Sequence, residues 1–186
     1  MAGFGLVALG ALLSVGLMLL WMRIASFQAQ KISDYAGTEP QVDLREHLNG
    51  KIKCEGVIYG PLGRVASRFT ADFDAVWDGN RGVMQERFLY DSGTTQDREW
   101  RLELKGDGTI RADADDLVGQ GTGEHAGAAI KLKYRIRLPK EAGGYVLDTV
   151  DWMYVTPSGT IVNRSQFRKF GIKVAELVAT MQRVDT

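Results

Sequence analysis

From Lys51 onward the chain alternates apolar and polar residues with a period of two, as strands do when one face is buried and the other is wet. Trp100, Leu102 and Leu104 share one face of a stretch whose other face carries Glu99, Arg101, Glu103 and Lys105. Ile130, Leu132, Tyr134, Ile136 and Leu138 alternate in the same way with Lys131, Lys133, Arg135 and Arg137. Val65, Ser67, Phe69, Ala71 and Phe73 give a third such face. Between the runs lie Asp78-Gly79-Asn80, Asp91-Ser92-Gly93, Gly106-Asp107-Gly108 and Pro157-Ser158-Gly159, all hairpin chemistry in which Gly supplies positive φ. The pattern predicts nine strands, near 52–59, 64–76, 82–90, 97–105, 109–114, 128–138, 145–155, 160–163 and 172–182, with no helix longer than two turns among them. Sequential hairpins make an antiparallel meander, and closure removes its edges. The expected class is therefore an all-β antiparallel barrel of about eight to ten strands, whose interior is filled by side chains or holds one small ligand.

The N-terminus follows a different rule. Ala2 to Met22 is apolar apart from Ser14 and four glycines. As a helix it would be about 31 Å long, one hydrocarbon thickness. Trp21 sits where an interfacial aromatic belongs and Arg23 ends the run. No basic residue precedes Arg23, and Ala25 to Ala29 is a poor cleavage site, so residues 1–26 read as an uncleaved single-pass membrane anchor. Arg23 and Lys31 lie after the span, which on the positive-inside rule favours a cytoplasmic domain. Residues 27–42 are polar and aperiodic, with Gly37 and Pro40, and read as a linker that lifts the domain off the bilayer. The domain proper is 43–186. It opens with one or two helical turns, capped by Asp43 and stopped by Gly50, whose Leu44 and Leu48 could plug one barrel end.

Composition narrows the function classes. Lys plus Arg and Asp plus Glu number 23 each, and this balance argues against nucleic-acid binding. One cysteine, Cys54, leaves no intramolecular disulfide and no Cys-cluster metal site. Two histidines and no G-x-S-x-G leave Ser-His-Asp hydrolysis unsupported. Asp113, Asp115 and Asp116 lack EF-hand spacing, and Gly119, Gly121 and Gly123 lack the strand–helix context of a dinucleotide loop. No cofactor, metal or catalytic residue is expected, and the glycine-rich stretch after Asp116 reads as a loop.

The densest polar chemistry lies between Asp151 and Gly171. Here Ser165 is expected to cap a helical turn, Gln166 to Phe170, that Gly171 ends. That corner would bring Asn163, Arg164 and Lys169 to one barrel end, beside Asp151, Trp152 and Tyr154. Trp152 is expected to be buried and Arg164 to pair with Asp116 or Asp151. With Asp115, these eight residues form the candidate ligand-binding or structural polar cluster. Glu86 and the same aspartates are the candidates if the barrel is an enzyme, since a carboxylate in an apolar cavity titrates near neutrality.

Asp34-Tyr35-Ala36-Gly37, Phe69, Glu86 to Gly93, Arg98 with Trp100, Ala114-Asp115-Asp116, Gly119, Gly123, Asp151-Trp152-Met153, Asn163-Arg164 and Lys169-Phe170-Gly171 carry a resemblance. Over about Asp34 to Met181 the chain resembles the bacterial domain of unknown function 3833 family, envelope proteins that are often lipoproteins. The resemblance implies a lipocalin-like barrel on the outer face of the bacterial inner membrane or in the periplasm, and it implies no activity. The lipoprotein cysteine is absent here and a membrane helix takes its place. The resemblance tips the expected side of the membrane to the periplasm. The expected function is a membrane-anchored, non-enzymatic barrel that binds a lipid or other apolar small molecule. The alternatives are an enzyme or accessory in envelope lipid modification, and a filled barrel that serves as a protein platform.

Overall fold

Ten strands close into one antiparallel barrel in the computed structural model, which describes residues 2–184. The side chains of Ala2, Met22 and Arg23 fall outside that description, so the basic flank read at Arg23 is a statement of sequence alone. The strands are β1 (Gly50–Tyr59), β2 (Val65–Asp78), β3 (Arg81–Tyr90), β4 (Thr95–Leu104), β5 (Thr109–Asp113), β6 (Gly121–Ala126), β7 (Ala129–Arg137), β8 (Val146–Val155), β9 (Ile161–Lys169) and β10 (Ile172–Arg183). Each pairs with its neighbours in sequence, and β1 pairs with β10 to close the wall. The expected inner faces are inner faces: Phe69, Ala71 and Phe73 on β2, Trp100 and Leu102 on β4, and Ile130, Leu132 and Tyr134 on β7 are all buried in one core.

Two parts of the wall differ from the sequence reading. The glycine-rich stretch contains a strand, β6, rather than a continuous loop. Its inward positions are Gly121 and Gly123, where a Cβ would come within 3.2 Å of Tyr134 Cβ and 2.8 Å of Lys131 O. Strand pairing at this closeness admits only glycine. The helical turn expected at 166–170 is also absent. β9 runs unbroken to Lys169, and Phe170 (φ 52°) and Gly171 (φ 79°) make a two-residue turn into β10. Two successive positive φ values fit a type I′ hairpin, which keeps the twist of the flanking strands.

The two barrel ends are unlike. At one, the helical turn α2 (Leu44–His47) caps the interior: Asp43 accepts from the Arg45 amide, Leu44 and Leu48 are buried, and Trp77 Nε1 donates to Leu48 O at 2.7 Å. The other end, ringed by the turns at 60–64, 91–94, 114–120, 138–145 and 170–171, is the mouth.

Residues 27–42 do not hang free as a stalk. Two 3-10 turns, Phe27–Ala29 and Ile32–Tyr35, lie on the outer wall over β7 and β8, where Phe27, Ala129 and Trp152 form a second small core. The Tyr35 ring stands 5.4 Å from Trp152 and 5.3 Å from Tyr154. Lys131 Nζ donates to Gln30 O at 3.2 Å, and the Ala128 amide donates to Thr38 Oγ1 at 2.9 Å. Gly127, at φ 52°, passes so close to the Tyr35 and Thr38 backbone that a side chain there would collide. Ahead of this strap the helix α1 (Ala2–Ile24) is long and apolar enough to cross a membrane.

Candidate functional site

A cavity of about 530 Å³ occupies the barrel interior between α2 and the mouth. Its wall is mainly apolar: Phe69, Phe73, Met84, Trp100, Leu132 and Met181 are among the lining residues. A second hollow of about 850 Å³ runs over β1 to β4, lined largely by charged groups such as Lys53, Asp72, Arg87 and Asp97. Lys53 pairs there with Asp72, and Arg87 with Asp97, all four exposed, so that face is ordinary wet surface. The interior cavity has the character of a ligand site: concave, apolar and supplied with a few converging polar groups.

Those groups enter from inward positions of five strands and one loop. Arg98 on β4 makes a two-point contact with Asp116, Nε to Oδ2 at 2.7 Å and Nη2 to Oδ1 at 3.1 Å. Its guanidinium lies 4.1 Å above the centre of the Trp100 ring. A planar cation held by a fork and a ring face fits Arg and would not fit Lys. On β7, Tyr134 Oη donates to Asp151 Oδ2 on β8 at 2.8 Å. On β9, Ser165 Oγ also contacts Asp151, and the Asn163 amide donates to Asp151 Oδ1 at 3.3 Å and to Trp152 O at 3.1 Å. Glu86 on β3 faces the same space at 7% exposure. Arg98 Nη1 stands 3.8 Å from Glu86 Oε2, beyond hydrogen-bond range, and that oxygen has no hydrogen-bond partner among the described residues. Burial pushes the Glu86 carboxyl up to about 7, against the opposing pull of Arg98. Burial likewise pushes the Cys54 thiol, which lines the cavity, up to about 12, so it stays protonated at neutral pH. The Tyr134 phenol is raised well above its usual range, by burial first and then by Asp151.

The eight residues read as one cluster are divided by the barrel wall. Asp116, Asp151 and Asn163 face the cavity. Trp152 is fully buried, as expected, but beneath the strap on the outer wall. Tyr154 is there too, its hydroxyl donating to Gln30 Oε1 at 2.8 Å. Asp115 is 92% exposed and pairs with Arg101 at 2.7 Å. Arg164 corrects the expectation most sharply. β9 is a strand, so its residues alternate, and Arg164 points outward to Glu176 at 2.6 Å rather than to Asp116 or Asp151. Lys169 sits at the mouth with its ammonium 3.5 Å from the Tyr145 ring centre. Arg98, Tyr134 and Ser165 were not singled out as site residues. The period-two rule could have found Arg98 and Tyr134, since each shares the inward face of a strand with apolar neighbours; Ser165 lies where the inward face of β9 is polar.

Solved structures with the same architecture include the S-type phycobiliprotein lyase CPES from Guillardia theta, with a TM-score of 0.57, 9% identity, and coverage of 84% of this chain and 99% of that one. Rv2717c from M. tuberculosis aligns with a TM-score of 0.56 at 13% identity over 80% of this chain and 99% of its own. A protein of unknown function from the DUF3598 family of Nostoc punctiforme aligns with a TM-score of 0.55 at 15% identity, over 80% of this chain and 53% of its own. Identities this low carry the fold alone. No curated protein sequence matches the chain. The family model described as "Protein of unknown function (DUF3833)" matches residues 21–183, and the chain belongs to that family.

Proposed function

We propose that this protein is a membrane-anchored carrier, in the bacterial envelope, that holds an apolar small molecule such as a lipid inside its barrel. The observation that carries the reading is the interior cavity of about 530 Å³, apolar along its wall and polar on the side where Arg98, Asp116 and Glu86 meet. Its size lies within the range of roughly 300–1,000 Å³ common for ligand pockets. A filled platform barrel would need side chains in that space. The mouth supports the same reading. Leu62, Val65, Leu89, Tyr145, Phe170 and Ile172 are large apolar side chains exposed in or beside its turns, and Phe170 is 90% exposed at a hairpin tip. Such a rim suits contact with lipid. α1 tethers the barrel to the inner membrane, on the periplasmic side, so the mouth meets a bilayer without a search through solution.

The polar end of the site is the Arg98–Asp116–Glu86–Asp151 group rather than Arg164. The test is to purify the full-length protein from its host membrane, extract it, and identify bound small molecules by mass spectrometry. The reading expects one apolar class retained at close to one molecule per chain. An extract with no enrichment over an unrelated single-pass protein prepared alongside would overturn it.

A further inference from the structure

The polar groups inside the cavity are not evenly divided between donors and acceptors. Three carboxyl groups, Glu86, Asp116 and Asp151, stand around the Arg98 guanidinium, while the two other cations of the lining, Arg137 and Lys140, belong to the mouth. That guanidinium's two-point edge is already occupied by Asp116. The Tyr134 hydroxyl is committed to Asp151, and the Tyr90 hydroxyl donates to Gln96 Oε1 at 2.9 Å. In its ionised form Glu86 leaves Oε2 as a buried acceptor to which nothing among the described residues donates. A buried polar atom in this state costs free energy until a donor reaches it.

We infer that the cavity selects an apolar molecule whose polar end is a hydrogen-bond donor, an amine or a hydroxyl, placed head-first against Glu86, and that it rejects a carboxylate there. This rests on the proposal that the cavity holds a ligand, and it names the ligand's chemistry. A carboxylate placed against this group would face three carboxyl groups, and the matching edge of Arg98 is taken. An ammonium or hydroxyl would supply the missing donor. The upward shift of Glu86 agrees with this geometry, because the fold gives its charged form too little compensation. The rival arrangement is a fatty acid lying tail-first, its carboxylate at the mouth beside Arg137 and Lys140, which also line the cavity. That arrangement would leave Glu86 covered by hydrocarbon, with Oε2 still lacking a hydrogen bond.

The experiment compares hexadecylamine, hexadecanol and hexadecanoic acid on the full-length protein in phosphatidylcholine nanodiscs, with bound probe counted by native mass spectrometry. Retention is counted relative to the same probe on empty nanodiscs, so each probe's own partition into the bilayer cancels. The inference expects the amine and the alcohol to be retained at least tenfold over the acid. Glu86→Gln should lower amine retention about tenfold and leave the alcohol within about threefold, because the amide oxygen still accepts. Arg137→Gln with Lys140→Gln should change none of the three. Equal retention of all probes, unmoved by Glu86→Gln, would overturn the head-group inference and leave cavity binding standing. Acid retained best and lost with Arg137→Gln and Lys140→Gln would establish the tail-first arrangement instead. No probe retained by any variant would overturn both readings. Unchanged near-ultraviolet circular dichroism shows that each variant is folded.

Discussion

Glu86 and Arg98 set the character of the interior at the scale of single residues. The Glu86 carboxyl, with Arg98, Tyr134, Asp116 and Asp151 around it, is raised from 4.5 to about 7 by burial. The folded chain therefore keeps a proton that the unfolded chain gives up above 4.5. This contribution is fully present below that value and is lost as pH rises to about 7, where ionised Glu86 costs on the order of 3 kcal/mol. Replacing Glu86 with Gln removes the titration. The melting temperature of Glu86→Gln minus that of the parent should accordingly be more positive at pH 8 than at pH 4.5. An equal difference at the two values would show that Glu86 is not buried. The Arg98–Asp116 pair is the latch that the sequence reading placed at Arg164. With side-chain exposures of 12% and 23%, it is the pair whose breaking should be costly, and Asp116→Ala should destabilise by about 3–5 kcal/mol in denaturant unfolding. Arg164 is 47% exposed, and Arg164→Ala should cost about 1 kcal/mol or less. Reversed magnitudes would contradict this placement of the charges.

Each element's legibility depended on whether its inward face carries side chains. β2, β4 and β7 were readable because large apolar residues alternate with charges along them. β6 was not, since its inward residues are Gly121 and Gly123, and a period made of missing side chains leaves no apolar signal. β9 was misread because Asn163, Ser165 and Gln166 are buried polar residues, which imitate a cap and a surface turn. The same failure hid the split of the Asp151–Arg164 cluster, because a helical turn and a strand assign successive side chains to different sides of the wall. β6 supplies its own test. Gly123→Val adds bulk where the Leu132 side chain and Lys131 O already stand, so it should destabilise by several kcal/mol despite valine's β preference. A neutral or stabilising outcome would mean that β6 and β7 are not packed this closely. The strap over β8 makes a second element-level claim. Tyr35→Ala should open the cover of Trp152, and tryptophan emission should shift to the red without loss of the barrel's far-ultraviolet signal. An unchanged spectrum would show that the strap does not seal that face.

The whole molecule combines an apolar helix, a strap that fixes the chain to the outer wall, and a barrel plugged at one end by α2 and fringed with apolar side chains at the other. The barrel class was legible from the hairpin spacing and the period of two. The cavity was not, because whether a closed barrel is filled depends on how side chains from opposite walls meet, and no local pattern records that. On the proposed function, this space is occupied by an apolar molecule in the working protein. Leu177 lines the cavity and is half-buried at the edge of the core, so Leu177→Trp adds bulk to the space. The most direct measurement is the amount of small molecule that copurifies with full-length parent and with full-length Leu177→Trp, counted per chain by quantitative mass spectrometry on proteins of matching melting temperature. About one apolar molecule per parent chain and a severalfold loss in Leu177→Trp are expected. Equal amounts in the two proteins would place the bound molecule outside the barrel.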